Sequence, residues 1–396
     1  VILLPPFLVT GSFMPDLLVA INSLLFIYFF LKYKIYFIFN NFFFKFFCIF
    51  YLYINFSSLF SSDIILSFKS TLPYFRFIFF SLLIYYLCIT IKKFKLLFFI
   101  SFLTTFVILI IDGYFQYFVG FNFQGYPIDG SSRLGGLFGD EKILGSFLSR
   151  NLPLLLFFLF DFKKKNSKFN IYLISILIFS QVLIFLTGER AAFILTILML
   201  VYLTVLINGY RIIKSVALIL TLAVILSQTL SNSGLKNRMI NITYNDMSSS
   251  NFFSKIHERY YFTALDIYGE NKVLGSGPKT FRVKCNKSKY QNKACSTHPH
   301  NMYIQLLSET GIVGFSMILF LFIYLVYVSF VQFFCLIKKK KFLKNNQICL
   351  ISGFLITLWP IAPSGNVLNN FISIIYFLPV GFYLSTLHEN KDDLIN

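Results

Sequence analysis

Charge is what this sequence has least of. Only 13% of its 396 residues are Asp, Glu, Lys or Arg, where a soluble domain carries about 25%. Acidic residues are the scarcer kind, 16 against 35 Lys and Arg. The chain also lacks an internal repeat, a low-complexity linker and a cleavable signal peptide; an apolar start in a multispan chain is normally its first span. It has neither a P-loop nor a dinucleotide fingerprint. These absences exclude an ordinary soluble enzyme and leave little to suggest a repeat-built transporter, which would pair charged residues across its halves.

What is present is apolar. Hydrophobic residues make up 57% of the chain and the mean hydropathy is +0.73. Runs of about twenty apolar residues recur from end to end, which is the mark of a polytopic membrane protein. The expected fold is all-α, a single integral membrane domain over 1–396 with about twelve spans. They are placed near 1–11, 15–31, 42–60, 71–90, 95–117, 142–160, 169–187, 190–208, 212–230, 311–337, 347–362 and 369–386. The chain begins with Val1 rather than Met, and the first span is expected to be incomplete.

The net charge of +19 is distributed in five clusters, each after an apolar run. They are Lys32, Lys34 and Lys45; Lys92, Lys93 and Lys95; Lys163, Lys164, Lys165 and Lys168; Arg211 and Lys214; and Lys338 to Lys341 with Lys344. A basic patch for nucleic acid is the competing reading. The spacing instead follows the rule that Lys and Arg mark cytoplasmic loops, and these spans put every cluster on one side. An even number of spans also puts both termini there. The other side receives the loop from Asp112 to Glu141, the Thr187–Arg190 corner, the polar segment 231–310 and the loop Pro363 to Asn370. The segment 231–310, between the ninth and tenth spans, is expected to form a cap.

Several polar groups need an account. Arg76, Asp112 and Arg150 lie in or at the ends of spans, where charge is costly; snorkelling or a local Arg–Asp pair competes with function for both arginines. GSSRLGGLFGDEKILGSFLS, residues 130–149, carries Arg133 and a set of glycines that permit close backbone approach. Asp140 and Glu141 there are read first as helix caps. In TGERAAF, Glu189 and Arg190 stand at a tight corner, and a guanidinium can bind phosphate bidentately. HERYYFTALDIYG reads as an amphipathic helix with Arg259 near its start, and GSGP after it as a turn. Cys285 and Cys295 fall in the long external segment, where a disulfide is plausible chemistry; a zinc site with His298 and His300 is the alternative. STHPHNMYIQLLSETGIVGF places Asn301, Gln305, Ser308 and Glu309 on one helical face and Met302, Tyr303, Leu306 and Leu307 on the other. That pattern suggests an interfacial helix leading into the span after Gly311. His300 would sit at its N-terminus, where an imidazole stays neutral and serves as a base.

HNMYIQLLSETGIVG resembles the signature of the O-antigen ligase and O-antigen polymerase family: His300, Asn301, Gly311 and Gly314 take its fixed positions. RLGGLFGDEKILGSFLS and TGERAAF resemble segments of the same family in the same order. The resemblance implies a glycosyltransferase of the bacterial inner membrane, acting on the periplasmic face. Its donor would be a glycan on undecaprenyl diphosphate, and its acceptor lipid A–core (ligase) or another lipid-linked repeat (polymerase). His300 takes the role of the family's loop histidine, Arg190 that of the TGER arginine, and Arg259 that of the loop arginine. Arg133, Arg76, Arg150, Asn301, Glu189, Glu309 and His298 are carried as substrate-binding candidates. No DxD-like pair calls for a metal, so metal-independent, inverting transfer without a cofactor is expected, with the lipid bilayer and no nucleic acid as partners. A transporter or flippase is the rival reading.

Overall fold

The computed structural model describes residues 1–396 except 129–132, 164–167, 208, 232, 249–253, 291–293, 341 and 396. Gly130, Lys164, Lys165 and Lys341 therefore lie outside the described residues, as do the side chains of Lys168, Arg211 and Lys214. Among the described residues the structure is helical, with one isolated bridge between Phe121 and Pro127. Eight helices are long and apolar enough to cross a membrane: Phe13–Tyr33, Phe42–Leu59, Ile64–Thr90, Phe94–Val119, Leu144–Asp161, Phe169–Leu186, Met302–Ile337 and Asn370–Glu389. A ninth is reached if Ser215–Leu230 and Gly234–Asn245, bent by 111°, form one broken span.

Of the twelve expected spans, eight, or nine with the bent pair, meet this measure of length and hydropathy. Residues 1–11 contain a single helical turn, Leu4–Phe7, where a crossing needs about 20 residues. Arg190–Leu206 has 17 residues and Asn345–Thr357 has 13. At about 1.5 Å per residue they are roughly 25 and 20 Å long, short of a hydrocarbon core of about 30 Å. The even number on which a shared side for both termini rested turns on these shorter helices.

The lysine-bearing loops meet at one end of the bundle. Lys95 pairs with Glu389 and, at 3.8 Å, with Asp161. Asn346 donates to Asp161 at 2.8 Å, Lys163 bonds the Tyr210 hydroxyl, and the Phe37 ring lies 6.2 Å from that of His388. At the other end, loops are sewn into a polar cap. Ser62 N donates to Ser276 O at 2.9 Å, the Ser67 hydroxyl to Pro278 O at 2.8 Å, and Ser364 N to His300 O at 2.9 Å. The cap has a small core of its own, in which Ala264 and Ile267 of the Lys255–Glu270 helix meet Phe281, Cys285 and Tyr290. Cys285 and Cys295 are disulfide-bonded, with Cα atoms 5.2 Å apart.

Residues 302–337 run as one helix but bend at Gly311, whose φ of 66° and ψ of −168° are not helical. The break falls where the sequence placed the start of the span. The backbone groups it frees are all taken up. Ser308 O accepts from Ser276 N and Glu309 O from Gly277 N, Thr310 O accepts from the Tyr53 hydroxyl, and Ile312 N donates to Lys272 O. The GSGP turn is thus the lid of a broken helix. The segment before the break, residues 302–310, was expected to lie on an interface with one face open. It is enclosed on both. Gln305, Ser308 and Glu309 are buried, and so are Met302, Tyr303 and Leu306; the 275–281 strap bonds Ser308 and Glu309, and the 358–368 loop bonds Tyr303 and Gln305.

Two outcomes follow from this framework. A β-carbon at Gly311 would stand 2.1 Å from the Val273 carbonyl oxygen, and a side chain is strained at that φ by about 1–3 kcal/mol. Gly311→Ala should therefore lower the melting temperature in detergent, and an unchanged value would contradict the break's role. Cys285→Ser should cost about 2–4 kcal/mol, and reductant should lower the melting temperature of the parent protein but not of the variant.

Candidate active site at the broken helix

Asn301 starts the site helix. Its Oδ1 accepts from Tyr303 N at 2.9 Å and Ile304 N at 3.0 Å, the usual work of an N-cap. Its Nδ2 donates to Pro360 O at 2.8 Å and to Ala362 O at 3.3 Å. Every polar atom of this side chain is engaged in fixing His300 and the neighbouring loop. His300 itself has φ 62°, a region uncommon for a residue with a side chain. Its carbonyl is held by Ser364 N, and its Nε2 lies 3.1 Å from the Ser296 hydroxyl.

Three histidines and a tyrosine gather here. The His298 and His300 rings are 4.2 Å apart, His257 and His300 5.4 Å, and Tyr260 and His300 5.3 Å. His298 Nε2 lies 3.3 Å from Ser364 O. Burial holds the His300 pKa below its ordinary value of 6.5, and the charge of His257 adds to this. His298 is pushed down to about 4, first by burial, then by His300 and Arg282, against a hydrogen bond to Ser364 that raises it. A positive charge on one ring opposes a positive charge on the next, so His298 and His300 are both biased toward the neutral form. The zinc alternative loses two of its four ligands, since both cysteine sulfurs are in the disulfide.

Arg259 lies on the same helix as His257 and Tyr260, with its side chain exposed. Glu309 is buried and its carboxylate is used on the protein. It accepts from Lys279 N at 2.9 Å, Phe281 N at 3.1 Å and Gln305 Nε2 at 2.9 Å. Gln305 continues the network to Asn366 Oδ1 at 3.0 Å and Val367 N at 3.1 Å. Among the sequence candidates, then, Asn301 and Glu309 hold the site's shape, and His298 and His300 lie together in it.

A second group is built where TGERAAF meets the glycine-bearing loop. Glu189 accepts from Gly145 N at 2.7 Å, Ser146 N at 3.2 Å and the Ser146 hydroxyl at 2.5 Å. It thereby caps the Leu144–Asp161 helix, the task expected of Asp140 and Glu141, which are both exposed instead. Arg133 lies 3.9 Å from Glu189 and donates to Lys142 O at 2.5 Å. Arg190 is half-buried, with Nη1 3.3 Å from the Thr243 hydroxyl, and Arg238 donates to Gly188 O at 2.8 Å. Gly136, at φ 54°, lets its loop lie against Asp112 and Gln116; its N–H donates to Gln116 Oε1 at 2.8 Å.

The two remaining arginines stand apart. Arg76 forms the local pair foreseen as its bland reading, at 2.7 Å to Asp16, whose other oxygen accepts from Asn370 at 2.8 Å. Arg150 donates to Ser146 O at 3.3 Å and its charge acts on Tyr376. Sequence reasoning overlooked His257, Tyr260, Lys279 and Arg282. His257 had a visible signal, a second polar ring beside Arg259 on one amphipathic helix. The other three reach the site only through tertiary packing.

Residues 173–319 match a family model described as O-antigen ligase. No curated protein matches the chain. The matched stretch runs from the Lys168–Leu186 helix to just beyond Gly311, and it contains Glu189, Arg190, Arg259, His298, His300, Asn301 and Glu309. Arg76, Arg133 and Arg150 fall outside it. The chain is a multi-pass helical membrane protein, and its residues 173–319 are similar to the O-antigen ligase family.

Proposed function

We propose that this protein is a membrane glycosyltransferase that moves a glycan from undecaprenyl diphosphate to a sugar hydroxyl, with lipid A–core as the acceptor. The observation that carries this reading is a strained His300 at the head of a broken helix, inside the family-matched stretch. An O-antigen ligase-type or polymerase-type role in polysaccharide biosynthesis follows from the family match. The donor half of such a site serves a polymerase equally, with a second lipid-linked repeat as acceptor.

In this reading His300 donates its Nε2–H to Ser296 and keeps the Nδ1 lone pair for the acceptor. The acceptor hydroxyl gives its proton to His300 as its oxygen bonds to the anomeric carbon. The bond from that carbon to the diphosphate oxygen breaks, and the diphosphate leaves with the electron pair. One displacement inverts the anomeric centre. Charge builds on the leaving oxygen, and Arg190 and Arg259 are the residues assigned to neutralise it. Arginine charge takes the place a divalent cation would otherwise fill.

The membrane placement belongs to the same proposal. The lysine end lies in the cytoplasm by the positive-inside rule, and the cap with its disulfide faces an oxidising periplasm. The shorter Arg190–Leu206 and Asn345–Thr357 helices run between the same two ends. Arg190 lies beside the glycine-loop group and Leu206 O accepts from Gln332 near the lysine end; Asn346 bonds Asp161 there, while Leu358 O accepts from the Tyr303 hydroxyl in the cap.

The purified protein should transfer a defined undecaprenyl-diphosphate glycan in EDTA. His300→Ala should lose at least about a hundredfold in rate, and Arg190→Ala and Arg259→Ala should each lose about tenfold or more. Full activity of the His300 variant would end its assignment as base, and loss of parental activity in EDTA would end the metal-free mechanism. Running the assay with lipid A–core and with lipid-linked repeats separates ligase from polymerase.

The lowered His300 pKa fixes the direction of the pH profile. The limb on which kcat/KM falls with acid should therefore be centred below pH 6.5, the ordinary histidine value. His257→Asn removes a neighbouring charge and should move that limb to higher pH. A limb centred above 7 in the parent protein would contradict the geometry. Stability should follow the same sign: an unfolded histidine binds its proton near 6.5 but folded His298 only near about 4, so the cap should lose stability as pH falls through that window.

A further inference from the structure

Two cations of the cap are unused in the chemistry above. Lys279 and Arg282 belong to the strap that closes over the site helix. Glu309 holds the strap's backbone at Lys279 and Phe281, and Lys279 is kept at φ 66°. A lysine in the left-handed region is uncommon, and such strain persists where the surroundings over-determine it, often at ligand clamps. Arg282 lies one helical turn before Cys285. The Cys285–Cys295 disulfide, together with a 3.7 Å contact from Cys285 Sγ to Ser296 O, joins that turn to the loop bearing His298 and His300. Ser296 is also the residue whose hydroxyl meets His300 Nε2.

Neither side chain is satisfied by the protein. The Arg282 Nε is buried without an acceptor. Among the described residues, neither the Lys279 ammonium nor the Arg282 guanidinium has an ion pair or hydrogen bond. The nearby carboxylate, Glu309, already accepts from three protein donors. Lys279 is half-buried, and its pKa is pushed down first by burial, then by the charge of Arg282, against a smaller raising effect of Glu309, and least by the charge of Arg76. Like charges crowded together and partly removed from water are costly unless an anion joins them.

We infer that Lys279 and Arg282 hold the diphosphate of the lipid-linked donor beside His300, and that Glu309 positions them. This rests on the transferase reading above. A guanidinium fork with an adjacent ammonium suits tetrahedral phosphate oxygens, the fork binding two and the ammonium acting as a point charge. An acidic sugar of the acceptor offers negative charge too, and the test separates the two sources.

The experiment uses the full chain in detergent, with donor and acceptor varied in turn. Arg282→Gln and Lys279→Gln should each raise the donor KM by about tenfold or more and leave the acceptor KM unchanged. Arg282→Lys should recover part of the loss. Undecaprenyl diphosphate should raise the melting temperature of the parent protein and raise that of Arg282→Gln much less. Glu309→Gln should raise the donor KM while the Cys285–Cys295 bond still forms, which non-reducing mass analysis reads. A rise confined to the acceptor KM would overturn the inference and leave the transferase reading standing. So would an unchanged donor KM with an undiminished thermal shift. A parent protein that transfers no glycan to any acceptor would instead overturn the transferase reading itself.

Discussion

The break at Gly311 is the constraint on which the cap depends. A helix interrupted at the edge of a membrane exposes carbonyls and N–H groups that lipid cannot satisfy. Here they are satisfied by the chain from 272 to 277 and by Tyr53. That requirement brings the GSGP turn onto the helix end, and everything after the turn follows. Glu309, on the last turn before the break, then reaches the strap's N–H groups at Lys279 and Phe281. At the other end of the same short helix, Asn301 and Gln305 secure the 360–368 loop. His300 is fixed between these ties, and its backbone strain is held by the Ser364 bond to its carbonyl.

The carboxylates of the cap end of the bundle are largely spent on structure. Glu189 caps a helix from another part of the chain, Glu309 holds a strap, and Asp16 neutralises Arg76. Asp112 accepts from Phe123 N at 2.8 Å. Acidic residues are few to begin with, and these four are turned toward backbone N–H groups or an arginine. What faces the site is therefore cationic or neutral. This is a physical reason to expect an anionic ligand, independent of any family likeness.

Much of this was legible in the sequence, for reasons that differ by residue. Long apolar runs announce helices because backbone hydrogen bonds must close within the segment, so eight spans fall near their expected places. The span at 1–11 failed because hydropathy does not report where a helix stops. The kink and the site helix were legible, since His300, Asn301 and Gly311 lie within one short stretch. Partners distant in sequence were not. Nothing local says that Glu189, and not Asp140 or Glu141, caps the Leu144–Asp161 helix, or that Asp16 takes Arg76. The interfacial helix was misjudged for the same reason: its polar face looked solvent-bound until two loops from far along the chain were laid over it. Lys279 and Arg282 are ordinary surface cations by composition, and only the disulfide and Glu309 bring them to the histidines.

The cationic surroundings couple binding to proton transfer. With the site free of anions, burial and neighbouring positive charge bias His300 toward the neutral form. A diphosphate placed among Arg259, Lys279 and Arg282 would reverse the local sign of the field. Negative charge nearby raises an imidazole's pKa, so His300 becomes a stronger base when the donor is present. As the glycan bond breaks, the leaving diphosphate gains charge and the protonated imidazole is stabilised further. Once the lipid diphosphate departs, burial and His257 would again oppose the proton and return it to water. Donor binding would thus set the base before transfer, and donor release would reset it. A cap built with an acidic partner for His300 would lose that reset, because a permanent carboxylate would keep the proton in place between turnovers.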